Sequence, residues 1–233
     1  MHFRMHYINE YSFDDLYTAI SYIKWSKIIV ESMTLSEMVD DIINSKNKYY
    51  AYFYCLRFKF KIKKIQEFIL NEKDPKFAFL FYRDIKCNKS SMRKIILNSN
   101  STKYLTKLVE LNPKYLKNAE KEVIKKNDAF NALNLLKMNS NNKRLYNIVL
   151  KSNKPKHWLS LAKITNNKEI LNVIEDKLMQ INHFKYLTYM AMKSKCDVNK
   201  IEKFIRASGD TSDALFFARK VKKSNLHELL VFI

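Results

Sequence analysis

Apolar residues recur along this chain as pairs of short helical stripes separated by polar turns. The clearest copy runs from Asp74 to Asn100, DPKFAFLFYRDIKCNKSSMRKIILNSN, and its pattern returns about every 27 residues as far as the C-terminus. One position sets the register: Ala51, Ala78, Leu105, Ala132, Trp158, Leu187 and Ala214, at steps of 27, 27, 27, 26, 29 and 27. Three residues later stand Tyr54, Phe81, Leu108, Leu135, Leu161, Met190 and Phe217, and one later again Cys55, Tyr82, Val109, Leu136, Ala162, Ala191 and Ala218. Apolar positions at i, i+3 and i+4 make one face of an α-helix. A second set follows in each copy: Ile65/Phe68/Ile69, Met92/Ile95/Ile96, Ala119/Val123, Leu145/Ile148/Val149, Ile170/Val173/Ile174, Ile201/Phe204/Ile205 and Leu226/Leu229/Leu230. Each copy therefore reads as two antiparallel helices.

A copy this short holds two helices of about ten residues, each about 15 Å long. Helices below about 12 residues are marginal in water, so each pair must bury its stripes on the next. The predicted fold is all-α: a right-handed solenoid of about seven short helical hairpins over residues 47–233. Residues 1–46 lack the pattern and read as an N-terminal helical cap, which would cover the apolar face of the first hairpin. Ser12 followed by Asp14 and Asp15 marks one helix start there, and Thr34 with Glu37 has the spacing of a capping box.

With one Gly and three Pro in 233 residues, the chain is poor in the residues that strand turns and phosphate-binding loops require. This excludes a strand-rich fold and a glycine-rich nucleotide loop. The single glycine, Gly209, stands where a helix should end with positive φ, ahead of Asp210 as the next N-cap. Cys55, Cys87 and Cys196 are odd in number and far apart, which fits free thiols in a reducing compartment. No apolar run approaches a membrane span, and MHFRMHYINE lacks the apolar core of a signal peptide, so a cytoplasmic location is expected.

The core A-x-x-x-(Y/A)-(R/K)-x-(V/I), present as AFLFYRDI from Ala78 and ALFFARKV from Ala214, resembles a short tandem helical repeat of bacteriophage and giant-virus proteins. Where that repeat usually carries Lys-Gly-Arg-Trp-Pro-Glu between its helices, this chain has Cys-Asn-Lys-Ser-Ser or Lys-Lys-Ser-Asn. The resemblance implies a viral protein and an architecture. It implies no particular activity.

Charge changes the picture most. The formal net charge is +20, and it divides as −3 up to Lys46 and +23 beyond, so the repeat array holds all of the excess. Of 43 basic residues seven are Arg; an AT-rich genome accounts for Lys over Arg better than for basic over acidic. Such a field favours polyanionic partners. Two sets of cations stand out. Counted from the register position, the fifth place holds Arg83, Lys137, Lys163 and Arg219, with Arg57 and Lys193 one step later, a ladder that would run along a phosphate backbone. The second helix of the third hairpin carries Lys114, Lys117, Lys121 and Lys125 at i, i+3 and i+4 spacing, a ridge on one face. The expected partner is nucleic acid, bound through phosphates. The rival is an acidic host or viral protein held on a scaffold, and the apolar run Leu229-Leu230-Val231-Phe232-Ile233 is a candidate for self-association.

Signals for catalysis are poor, and no catalytic residue, metal or cofactor is expected. The five histidines show no ligand spacing, and no Ser or Cys stands in a nucleophile motif. The carboxylate pairs Asp14/Asp15, Asp40/Asp41 and Glu175/Asp176 are adjacent in sequence, which splays them about 100° apart on a helix. They read as caps and solvated surface. A HEAT-like DNA glycosylase is the remote enzymatic alternative, for which Trp25, Trp158 and Asp176 supply residue types without a local pattern.

Overall fold

The structure, a computed structural model, describes residues 34–58, 61–138, 141–192 and 196–221. Of these residues 81% are helical and none is in a strand. They fall into two compact units that divide at Leu108/Val109. The first contains α1 (Leu35–Asn44), α2 (Lys48–Phe58), α3 (Ile62–Glu72), α4 (Pro75–Asp84), α5 (Lys89–Asn98) and most of α6 (Thr102–Leu111). The second contains α7 (Leu116–Lys126), α8 (Ala129–Lys137), α9 (Lys143–Lys151), α10 (Pro155–Ile164), α11 (Lys168–Gln180), α12 (Phe184–Met192), α13 (Val198–Ser208) and α14 (Thr211–Lys220).

The predicted stripes become the core. Tyr54, Phe81 and Leu108 are fully buried in the first unit, and Leu135, Leu161 and Phe217 in the second, all at the same place in successive hairpins. Within each unit most helices pack against their immediate neighbours, and many also against the helix two further on. Thus α2 lies beside α4, while α8 meets α10, α10 meets α12 and α12 meets α14; the second helices pair likewise, α1 with α3, α3 with α5, and α7 with α9. This is the contact pattern of a helical repeat.

Six of the turns that lead into a hairpin hold a residue in the left-handed region; the turn into α10, ahead of Pro155, does not. Lys46, Lys73, Asn100, Asn127, Asn182 and Gly209 have φ between 50° and 71°, and each directly precedes the residue that opens the next hairpin. Asp74, Asp128 and Asp210 then cap: Asp74 Oδ1 accepts from the backbone N–H of Lys76 at 2.9 Å, Asp128 Oδ1 from Asn131 at 3.1 Å, and Asp210 Oδ1 from Ser212 at 2.8 Å. Asn tolerates this conformation and Gly prefers it, whereas Lys46 and Lys73 occupy it at a steric cost. The expected capping box at Thr34 forms in both directions, the Glu37 carboxylate accepting from the Thr34 backbone N–H at 2.7 Å. Ser12 and the remainder of the N-terminal cap before Thr34 lie outside the described residues, as do Leu226, Leu229, Leu230 and the apolar C-terminal run.

Polar contacts between successive hairpins also recur. Gln66 Oε1 accepts from the Asn88 backbone N–H at 3.1 Å, Glu120 Oε2 from Asn142 Nδ2 at 3.2 Å, and Glu175 Oε1 from the Asp197 backbone N–H at 3.4 Å, each across 22 residues. In every case a polar residue on a second helix holds the N-cap residue of the following second helix.

One stripe is corrected. The spacing in the fifth hairpin points to Ile170, Val173 and Ile174, but Val173 is 40% exposed and α11 instead buries Leu171, Ile174, Glu175 and Leu178. The step from Trp158 to Leu187 is 29 residues, so α11 is longer than its counterparts and turns a different set of side chains inward.

Candidate nucleic-acid interface

The ridge is built on α7. This helix buries Ala119, Glu122 and Val123, which leaves Lys117, Lys121 and Lys125 on the opposite, exposed side. Residues four apart on a helix are about 6 Å apart along its axis, so these three ammonium groups span about 12 Å. Lys125 lies 4.0 Å from Glu122 and remains 66% exposed; Lys117 and Lys121 form no ion pair among the described residues.

Lys114 departs from the expectation. Pro113–Tyr115 form a 3-10 turn ahead of α7, in which Asn112 Oδ1 accepts from the Lys114 backbone N–H at 3.3 Å. A 3-10 turn is wound more tightly than an α-helix, so Lys114 drops out of the row. Its ammonium sits 5.0 Å from the centre of the Tyr115 ring instead.

Sequence reasoning missed the neighbour of this ridge. Helix α9 packs directly beside α7, buries Leu145, Ile148 and Val149, and exposes Lys143, Arg144 and Lys151. None of these three has an ion-pair partner among the described residues. Two adjacent helices therefore present six exposed cations together. Of the acids nearby, Glu122 is buried and faces Lys125 and Lys126 at 4.0 and 3.9 Å, and Glu120 is half-buried and bonded to Asn142. The signal was available only as Lys and Arg at matching places 26 or 27 residues apart.

The ladder reads differently in three dimensions. Arg57, Arg83, Lys137, Lys163 and Arg219 each stand in the last turn of the first helix of a hairpin. There a cation complements the carbonyl end of the helix dipole by about 0.3–1 kcal/mol, an architectural reason for the repeat of charge. Arg83 is also occupied. Its Nε and Nη2 donate to the Asp84 carboxylate at 2.8 and 2.9 Å, the Tyr52 hydroxyl donates to the same group, and the guanidinium lies 5.7 Å from the centre of the Phe79 ring. Arg57 stacks on Phe58 at 5.1 Å, Lys137 and Arg219 are exposed, and Lys193 lies outside the described residues.

The residue types of the enzymatic alternative have other partners where they are described. Trp158 is buried with Lys177 over its ring at 5.3 Å, Asp176 Oδ1 accepts from Lys200 Nζ at 2.7 Å, and Trp25 lies outside the described residues. Among the described residues no group of three or more His, Cys, Asp or Glu is placed to hold a metal ion, and no helix is long and apolar enough to cross a membrane. Burial pushes the Cys55 thiol up to about 12, which leaves it protonated and a poor nucleophile at neutral pH.

Glu175 is the second correction. It is fully buried, where the adjacent pair Glu175/Asp176 reads in sequence as solvated surface. Burial raises its carboxyl above the ordinary range, opposed by Lys200 Nζ at 3.8 Å and by the Asp197 N–H. A carboxyl whose pKa is higher in the folded state binds its proton more tightly there. Stability is then lost as pH rises from the unfolded value of 4.5 through the folded one. Glu175→Gln keeps an acceptor for the Asp197 N–H and removes the buried charge. It is expected to stabilise the protein at pH 7 by about 1 kcal/mol, with the difference from wild type disappearing towards pH 4. Thermal melts at both pH values check this; destabilisation at pH 7 would show that the Lys200 attraction outweighs burial.

No protein-family model, curated protein or solved structure matches this chain.

Proposed function

We propose that this chain is a non-catalytic binding protein whose hairpins stack as a right-handed α-solenoid and whose basic surface engages nucleic acid through phosphate contacts. The observation that carries the reading is the paired exposed face of α7 and α9. Six cations stand there, and none of the large exposed apolar residues lies on either helix among the described residues. A protein partner is held mainly by a desolvated apolar or aromatic centre within a polar rim, which this face lacks. A phosphate backbone needs only charge. Along about 12 Å of duplex, at one charge per 1.7 Å counted over both strands, about seven phosphates lie around the circumference, so six contacts are the upper limit for this face. The resemblance of the stretches from Ala78 and Ala214 to viral helical repeats supports setting this activity in the cytoplasm of an infected cell.

The test is fluorescence anisotropy of the full chain with labelled single- and double-stranded oligonucleotides across a salt series. Six phosphate contacts predict a log-log slope of about −5 for duplex and about −4 for single strands. A slope shallower than about −1, or no binding at about 150 mM salt, would reject the reading in favour of an acidic protein partner.

A further inference from the structure

Where the two rows of cations meet, one side chain makes two contacts. Asn142 caps α9, its Oδ1 accepting from the Arg144 backbone N–H at 3.1 Å, and its Nδ2 donates to Glu120 Oε2 at 3.2 Å. The first contact orders the turn that carries Lys143 and Arg144; the second ties that turn to α7 directly beside Lys121. Glu120 is thus a carboxylate set within the basic face. By charge alone it opposes the binding of a polyanion.

We propose that Glu120 is a positioning residue of this face, which sacrifices some attraction for phosphate in order to hold the cations of α9 in register with those of α7. The inference rests on the phosphate-binding reading and adds the device that aligns its two rows. The other inter-hairpin tethers show what the contact needs. At the equivalent place in the first unit stands Gln66, a neutral side chain, whose Oε1 holds the N-cap residue Asn88 through its backbone N–H. An acceptor oxygen is required and a negative charge is not. Charge and tether at position 120 are therefore separable, because Gln keeps the oxygen while Ala removes both.

The two roles predict opposite orders of affinity. If Glu120 acted only through its charge, Glu120→Gln and Glu120→Ala would tighten binding equally. As a positioning residue it gives a split. Glu120→Gln is expected to bind a labelled DNA duplex about threefold more tightly than wild type, having lost one nearby negative charge. Glu120→Ala is expected to bind about twofold more weakly than wild type although it loses the same charge, because the threefold gain is outweighed by the roughly fivefold cost of a hydrogen bond worth about 1 kcal/mol that no longer orders the turn. Asn142→Ser retains an oxygen to cap α9, but its shorter side chain no longer reaches Glu120; with the Glu120 charge still in place it should weaken binding about fivefold, and it remains informative if the alanine variant fails to fold. Helicity by circular dichroism accompanies each titration. Glu120→Ala or Asn142→Ser binding as tightly as Glu120→Gln, with salt-dependent wild-type binding intact, overturns the positioning role alone. A wild-type chain without salt-dependent binding overturns the phosphate reading and this inference with it.

Discussion

Replacing Lys117, Lys121, Lys143 and Arg144 together with Gln is expected to weaken duplex binding roughly a hundredfold at about 150 mM salt and to flatten the log-log salt slope by about 3.6. Each cation that neutralises a phosphate releases a condensed ion, so the loss scales with the number of contacts removed and little else. All four side chains are exposed and none supports a neighbour through an ion pair among the described residues, so the variant should keep its helicity and its melting temperature. Lys, Arg and Gln have similar helix propensity, which limits any direct effect on α7 or α9. A matched exchange at Arg83, Lys137, Lys163 and Arg219 provides the contrast. It removes equal formal charge, but Arg83 is already held by Asp84, so a smaller loss is expected. Equal losses in the two variants would mean that net charge, rather than the face of α7 and α9, governs binding.

The largest effect on stability is expected at the repeated core position. Leu135 is fully buried in α8, and Leu135→Ala should destabilise the protein by about 2–5 kcal/mol, the lost transfer energy being increased by the cavity left behind. Phe130, also in α8, is 61% exposed, and Phe130→Ala should change stability by no more than about 0.5 kcal/mol although the side chain is larger. Urea unfolding of the two variants compares burial with size directly. A larger loss at Phe130 would show that α8 packs through a different face from the one described.

Much of this fold is legible because it is local. A period near 27 residues, apolar positions at i, i+3 and i+4, and Asp or Asn ahead of most runs are enough to place nearly every helix. Thr34 with Glu37 and Gly209 with Asp210 behave as their residue types dictate. The positive φ at Asn100, Asn127 and Asn182 could have been read in the same way, since Asn adopts that conformation more readily than most residues. Lys46 and Lys73 could not, because nothing in a lysine side chain signals a left-handed backbone; the turn between hairpins imposes it.

The candidate site was half legible for the same reason. Lys117, Lys121 and Lys125 share a face by helical geometry alone. Lys143, Arg144 and Lys151 join them only because α9 packs on α7, a relation between residues about 26 apart. Lys114 left the row when Pro113 opened a 3-10 turn, and Arg83 was claimed by Asp84, whose carboxylate also accepts from Tyr52 of a neighbouring hairpin.

By itself the amino-acid sequence determined the helical character, the hairpin period, the buried stripe, the principal caps and the excess of positive charge, since each depends on side chains within a few residues of one another. Only the tertiary structure decided that Glu175 is buried and Val173 exposed, and that Glu120 ties two rows of cations together. Those outcomes depend on which helix lies alongside which, and packing across 22 to 27 residues is set by the fit of whole hairpins rather than by any short pattern.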